Sequence, residues 1–237
     1  MSDPLFSVLN TSGTYNFAPS MGETVLFAFG ACNVRRTALT QGHFEDARLA
    51  TNMLMGRWSS QGVNLWQVDL QTVPLVQGQA TYQVPSNTIV ILDAYFSIIS
   101  GTAQIDRIMM PVSRTEYASY PNKQSQGSPT VFWFDRLLSP TVTIWPVPNG
   151  QQASFSYYRL RQTQDSVMQN GLNVEIPWYF LEAYALGLAY RLALIYAQDR
   201  VPVLKPLADE AWTIASTQNV ETAATYISPQ MSGYWRP

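Results

Sequence analysis

Residues 47–85 constrain the fold more than any other stretch, because one apolar repeat gives way to another within them. Ala47, Ala50, Leu54 and Trp58 recur at three- and four-residue steps, the spacing of a single buried helical face. Gly62 stops that helix. Residues 65–73 then alternate apolar and polar positions through Trp66, Val68 and Leu70, which is strand behaviour. A second short strand around residues 81–84 follows the Gln77-Gly78-Gln79 turn and ends at Pro85. A helical module and a β module therefore adjoin here.

Outward from this junction the chain reads in order. Residues 1–20 hold Asn10, Thr11, Ser12, Gly13 and Pro19 among scattered apolar groups, the composition of an extended arm. A short helix at 22–33 has Glu23 in its first turn and Val25, Leu26, Phe29 and Cys32 or Ala28 along one side. The helix over 43–61 has Glu45 and Asp46 near its start and Arg57 near its end, each matched to the local sign of the macrodipole. Strands follow at 65–73, 80–84, 88–99, 104–110, 130–134, 141–145 and 153–161, separated by turn-forming groups such as Gly127-Ser128-Pro129 and Pro148-Asn149-Gly150. Between them, Ser113 can cap one helical turn with Glu116 three residues on, and the polar loop 118–129 is a candidate contact loop. Helix returns at Pro177 and stops before Pro202; a last helix from Pro206 to about 224 is expected to bury Leu207, Ala211, Trp212, Ile214 and Ala215.

The class is α+β. N- and C-terminal helices meet in one layer, a small antiparallel β sandwich or barrel is inserted between them, and a C-terminal tail is extended. The expected divisions are an arm at 1–20, a helical domain at 21–63 plus 176–225, a β insert at 64–175 and a docking tail at 226–237. That tail carries Tyr226, Ile227, Met231, Tyr234 and Trp235 among Ser, Gly and Pro, too little to make a core alone.

Composition bounds the function. Of the 237 residues 46% are apolar and only 13% charged, against about 25% charged in ordinary soluble domains. So uncharged a surface fits either extensive subunit contact or a membrane. The apolar segment 178–197 has the length of a membrane span, but Glu182 and Arg191 lie within it, each costing about 3 kcal/mol near a bilayer centre. A buried helix in a ring or bundle fits better. A net charge of −2 gives no basic footprint for duplex DNA. The single cysteine, Cys32, cannot form an internal disulfide and reads as a small core residue. His43, the one histidine, reads as a polar residue in a first helical turn.

No phosphate loop, Ser/His/Asp set or metal-spaced cluster is present in the sequence, so no catalytic residue, metal site or cofactor is assigned. Asp165, Glu175 and Glu182 lie close enough in sequence to raise glycoside cleavage, and Trp66, Trp133 and Trp145 raise sugar stacking; structural pairing and core packing are the simpler readings. On the strand at 153–161, Phe155, Tyr157 and Arg159 share one face, and Arg159 and Arg161 are expected to be exposed for pairing with a neighbour's carboxylates. With Glu182, Arg191, Tyr226, Tyr234 and Trp235 they form the set of candidate subunit and partner contacts.

One ordered series of motifs adds to this. It comprises Met53-Leu54-Met55-Gly56-Arg57-Trp58, Gly62-Val63-Asn64-Leu65-Trp66, residues 73–85 around Gln77-Gly78-Gln79 and Tyr82-Gln83-Val84-Pro85, Ile144-Trp145-Pro146-Val147-Pro148, and Ile176-Pro177-Trp178 leading into an Ala/Leu/Tyr helix. The series, spanning about 22–224, resembles the head-to-tail adaptor (connector) proteins of short-tailed bacteriophages, the group of tail tubular and packaged-DNA stabilisation proteins. The resemblance implies a non-enzymatic virion protein at the head–tail junction, assembled in the host cytoplasm. It further implies a homo-oligomeric ring, twelvefold in the family, that docks below the portal protein after packaging, seats the tail nozzle protein and helps to retain DNA. Contact with DNA would be passive, within the channel, and no membrane insertion is implied. The helical layer would make the ring and meet the portal, the β insert would point towards the tail, and the C-terminal tail would reach onto the portal. The alternative is a carbohydrate-binding or cell-wall-hydrolysing virion protein, motivated by seven tryptophans and the carboxylates.

Overall fold

Ser20 opens the first helix by local chemistry alone. Its Oγ accepts from the Glu23 N–H at 3.3 Å and the Glu23 carboxylate accepts from the Ser20 N–H at 2.8 Å, a reciprocal capping box that starts α1 (Met21–Ala31). The computed structural model describes residues 14–15, 17–62, 64–100, 103–167 and 173–220. The expected tail and most of the expected arm lie outside them.

Helix α2 (Gln41–Ser60) buries Ala47, Ala50, Leu54 and Trp58, the four positions its periodicity singled out. Its start is closed by His43, whose Nδ1 accepts from the Thr40 N–H at 3.2 Å while the ring stacks on Tyr196 at 4.6 Å. The apolar segment becomes α4 (Leu181–Tyr196), packed on α1, α2 and α5 (Val201–Gln218). Small residues let the helices approach closely. A Cβ on Gly187 would stand 3.1 Å from Leu54 Cδ2, so the Leu54 side chain of α2 packs directly onto the α4 backbone there. Cys32 fills this core, buried, with its thiol donating to the Ala189 carbonyl at 3.3 Å and its pKa pushed up to about 11 by burial. Among the described residues no helix is long and apolar enough to cross a membrane.

The C-terminal helix starts earlier than expected. Pro202 lies in the first turn of α5, where its missing N–H has no helical partner to lose, so it starts the helix and does not end the preceding segment. The buried stripe is Leu204, Ala208, Ala211 and Ala215, at steps of four, three and four residues. Leu207 and Ile214 lie off that stripe and are exposed, against expectation, while Trp212 is half-buried.

Among the described residues the β region contains nine strands: β1 (Val68–Pro74), β2 (Thr81–Gln83), β3 (Thr88–Ser100), β4 (Ala103–Pro111), β5 (Gln126–Gly127), β6 (Val131–Asp135), β7 (Thr141–Trp145), β8 (Val147–Pro148) and β9 (Ala153–Arg161). Residues 65–67 form a 3-10 turn and join no strand. Seven strands make one sheet in the order β1-β9-β3-β4-β6-β7-β2, and β5 pairs with β8. The α+β class holds, but the sheet is mixed. β6 lies parallel to β4 and β5 parallel to β8, because the short helix α3 (Arg114–Ser119), capped by Ser113 on the Glu116 N–H at 3.1 Å, carries the chain back between β4 and β6.

The sheet closes over its own core. Phe132 on β6 and Phe155 on β9 are three strands apart, about 14 Å in a flat sheet, yet their ring centroids are 6.0 Å apart. Inward-facing Tyr82, Phe96, Met109, Phe132, Ile144, Phe155 and Tyr157 fill the space between the two halves. The helical layer has a second core of its own, centred on Phe29, Leu54, Tyr184, Leu188 and Leu192.

Candidate functional site

Arg159 and Arg161 are not exposed hooks for a neighbour. Arg159 faces inward with Phe155 and Tyr157, as the alternation predicts, but that face is covered. β1 lies beside β9 with Asp69 opposite Arg159, and Asp69 takes the guanidinium in a fork at 2.7 and 3.1 Å. Asn87 and Thr88, where β3 begins, accept from the same group at 2.7 and 2.8 Å, leaving the Arg159 side chain 6% exposed. Arg161 forks onto Glu175 and stands 3.8 Å from Asp69. These charges fasten β1, β9, the start of β3 and the return segment into one unit.

Glu175 bears on two readings. The Arg161 guanidinium, then the Gln164 N–H at 3.0 Å, hold its pKa below the usual carboxylate range, whereas a general acid for glycoside cleavage needs a raised one. Asp165 is exposed beside the C-terminal half of α2 and Glu182 is exposed at the start of α4. The lowered pKa of Glu175 also sets a pH dependence. Its ion pair stabilises the fold above the unfolded-state pKa, and that contribution is lost as pH falls through the lower folded-state value. Glu175→Gln is therefore expected to lower the unfolding free energy at neutral pH, with the gap to wild type narrowing as pH falls below the unfolded-state pKa and through the lower folded-state one. Denaturant titrations across that range read it directly; a gap that stays constant would mean the ion pair contributes nothing.

Sequence motifs far apart in the chain converge at two places. At the first, Trp58 of α2 meets Phe180 edge-on at 5.4 Å, and Trp66 lies against the same ring at 4.7 Å. Three motif segments, around 53–58, 62–66 and 176–178, thus pack about one phenylalanine. At the second, the Gly78 N–H donates to the Pro148 carbonyl at 3.0 Å and the Ile144 N–H to the Ala80 carbonyl at 2.9 Å. Gly78 holds φ +77°, a conformation that favours glycine, and Tyr82 braces the turn by donating to the Val76 carbonyl at 3.2 Å. The 73–85 and 144–148 motifs are in this way two halves of one corner of the sheet.

Residues 38–229 match the SU10 adaptor protein family, most of the chain's length. The chain belongs to that family. No curated protein matches it. The family makes it a phage adaptor, a structural component of the virion that contacts other phage structural proteins. The matched residues include both motif convergences and leave α1 outside.

For an adaptor the surfaces matter most. Glu182 rims a groove of about 290 Å³ whose walls are Phe17, Pro19, Phe27, Leu181 and Ala185, with Glu23 on the other side. Arg191 is half-buried between α2, α4 and α5; burial, then the nearby Arg57, lower its pKa, and Trp58, Asp209 and Trp212 line the same cleft. Tyr226, Tyr234 and Trp235 lie outside the described residues. Trp133 and Trp145 belong to neither core. They lie on the outer side of β6 and β7, stacked on Tyr117 at 5.6 Å and Tyr120 at 4.5 Å, with Lys123 over the Tyr117 ring at 5.7 Å. Each tryptophan thus has one ring face covered by its tyrosine partner.

Sequence reasoning missed the adaptor's exposed apolar groups. Leu137 and Leu138 project from the β6–β7 turn, the latter fully exposed, and Leu49, Met53, Leu194, Ile195 and Ile214 face outward from the helical layer. The signal was present in the turn, where two adjacent leucines replace the polar residues such a turn normally carries.

Proposed function

We propose that this adaptor forms an oligomeric ring, twelvefold, that joins the portal protein to the tail nozzle protein at the head–tail junction and helps to retain packaged DNA. The family match over residues 38–229 carries the reading. It is supported by the outward apolar groups of the helical layer, among them Leu49, Met53, Leu194, Ile195 and Ile214, which bury their surface only if another chain covers them.

In this reading residues 21–63 and 176–225 are the ring-forming domain, with Glu182 and Arg191 as contact residues. Residues 64–175 face the tail nozzle. The tail at 226–237, through Tyr226, Tyr234 and Trp235, docks on the portal. The role is non-enzymatic, without cofactor or membrane insertion, the contact with DNA in the channel is passive, and assembly takes place in the host cytoplasm. The test mixes the purified full chain with the portal protein of the same phage and reads particle mass and electron images. A ring of copies seated on the portal is expected; a chain that stays monomeric and never binds the portal overturns the reading.

A further inference from the structure

The strands β1, β9, β3 and β4 are antiparallel neighbours with an open side at each end. β1 pairs with β9 alone. β4 pairs with β3 from Ala103 to Met109 in unbroken register and meets β6 only at Met110 and Pro111. Along residues 103–108, therefore, no strand lies beside the outer edge of β4 among the described residues.

That edge is lightly guarded: its charges are Asp106, which accepts from the Gln104 side chain at 2.9 Å, and Arg107. Natural edges are blunted by charged side chains, lysine above all, by proline or by a bulge. Residues 103–110 contain no lysine or proline, and the β3–β4 pairing has no register shift. Every residue of β4 except Met109 is exposed, Ile105 by 46% and Ile108 by 72%.

We infer that the β4 edge receives β1 of a second copy of this chain, so that the sheets of neighbouring subunits run on into one another around the ring. The inference rests on the ring reading above and adds which surface makes it. Strand direction selects the occupant. Three successive antiparallel steps separate β1 from β4, so the two run in opposite senses. A copy carried sideways by the rotation of a ring keeps its own directions, and its β1 arrives antiparallel to β4, the better-bonded arrangement. The lengths agree as well, with seven residues in β1 and six at the open edge of β4. β1 presents Leu70 outward, 44% exposed, to meet the apolar groups of β4. Two different edges joined head to tail propagate and close by rotation, whereas β4 pairing with itself would stop at a dimer.

The test follows backbone amide exchange in the full chain, free and assembled on the portal protein of the same phage. Exchange in residues 68–74 and 103–108 is expected to slow at least about tenfold on assembly. The variant Ile105→Lys/Ile108→Lys should keep the melting temperature of the wild-type monomer, since both side chains are exposed, and lose ring formation. Wild-type rings without slowing at both strands, or rings formed by the variant at wild-type yield, overturn the edge pairing and leave the ring reading standing. Slowing at β4 without slowing at β1, or particles that stop at two copies, overturn the choice of β1. A wild-type chain that never assembles overturns the ring reading itself, and the edge pairing with it.

Discussion

Replacing Trp58 by alanine is expected to destabilise the chain by about 3–5 kcal/mol, the range for removing a buried aromatic side chain. Trp58 is 5% exposed and its ring lies edge-on against Phe180, which is itself buried and held on another side by Trp66. The loss has two parts: the indole's own transfer from water, and the void left among groups fixed on α2, on the turn before β1 and on the turn before α4. Collapse into that void would need three backbone segments to move together, so relaxation recovers little. Denaturant unfolding of the two proteins measures the difference. A change below about 1 kcal/mol would mean that the aromatic junction is not closed as described.

The second large effect is expected at Asp69. In Asp69→Ala the Arg159 guanidinium stays buried and loses its carboxylate partner, retaining only the neutral Asn87 and Thr88 acceptors. Removing one member of a buried pair costs about 3–5 kcal/mol. Asp69 keeps 34% of its side-chain surface in water, so about 2–4 kcal/mol is the expectation here. Arg159→Met with Asp69→Ala should be milder than the sum of the single changes, because no unpaired charge is left inside. Additive single effects would show that the pair is not coupled.

Much of the secondary structure was legible because its signals are local. The apolar repeat of α2, the alternation of β7 and β9 and the Ser113 cap depend on neighbours a few residues apart, and each is found where it was expected. The start of α5 was misplaced because proline both ends and begins helices, and only the partner surface on α4 decides which. Arg159 shows the other limit. Alternation placed its side correctly, but exposure depends on β1, ninety residues earlier in the chain, supplying Asp69 in register. The outward apolar groups of α4, Leu194 and Ile195, were illegible for the same reason, since a helix that is apolar almost all round does not say which side its own chain covers.

The sheet is tied to the helices at one threshold. Gln67, at the way in, donates to Thr163, at the way out; Ser59 of α2 bonds the same Thr163 at 3.3 Å, and the Ser166 N–H donates to Asn52 of α2 at 2.8 Å. Ingoing and outgoing chain thus share a single doorframe built on α2. Whatever is hung on that frame has its ends already held together, so its length and strand number are free to change without disturbing the helices. Strain applied to the sheet is in turn delivered to α2 as a lever, at the end that carries Trp58.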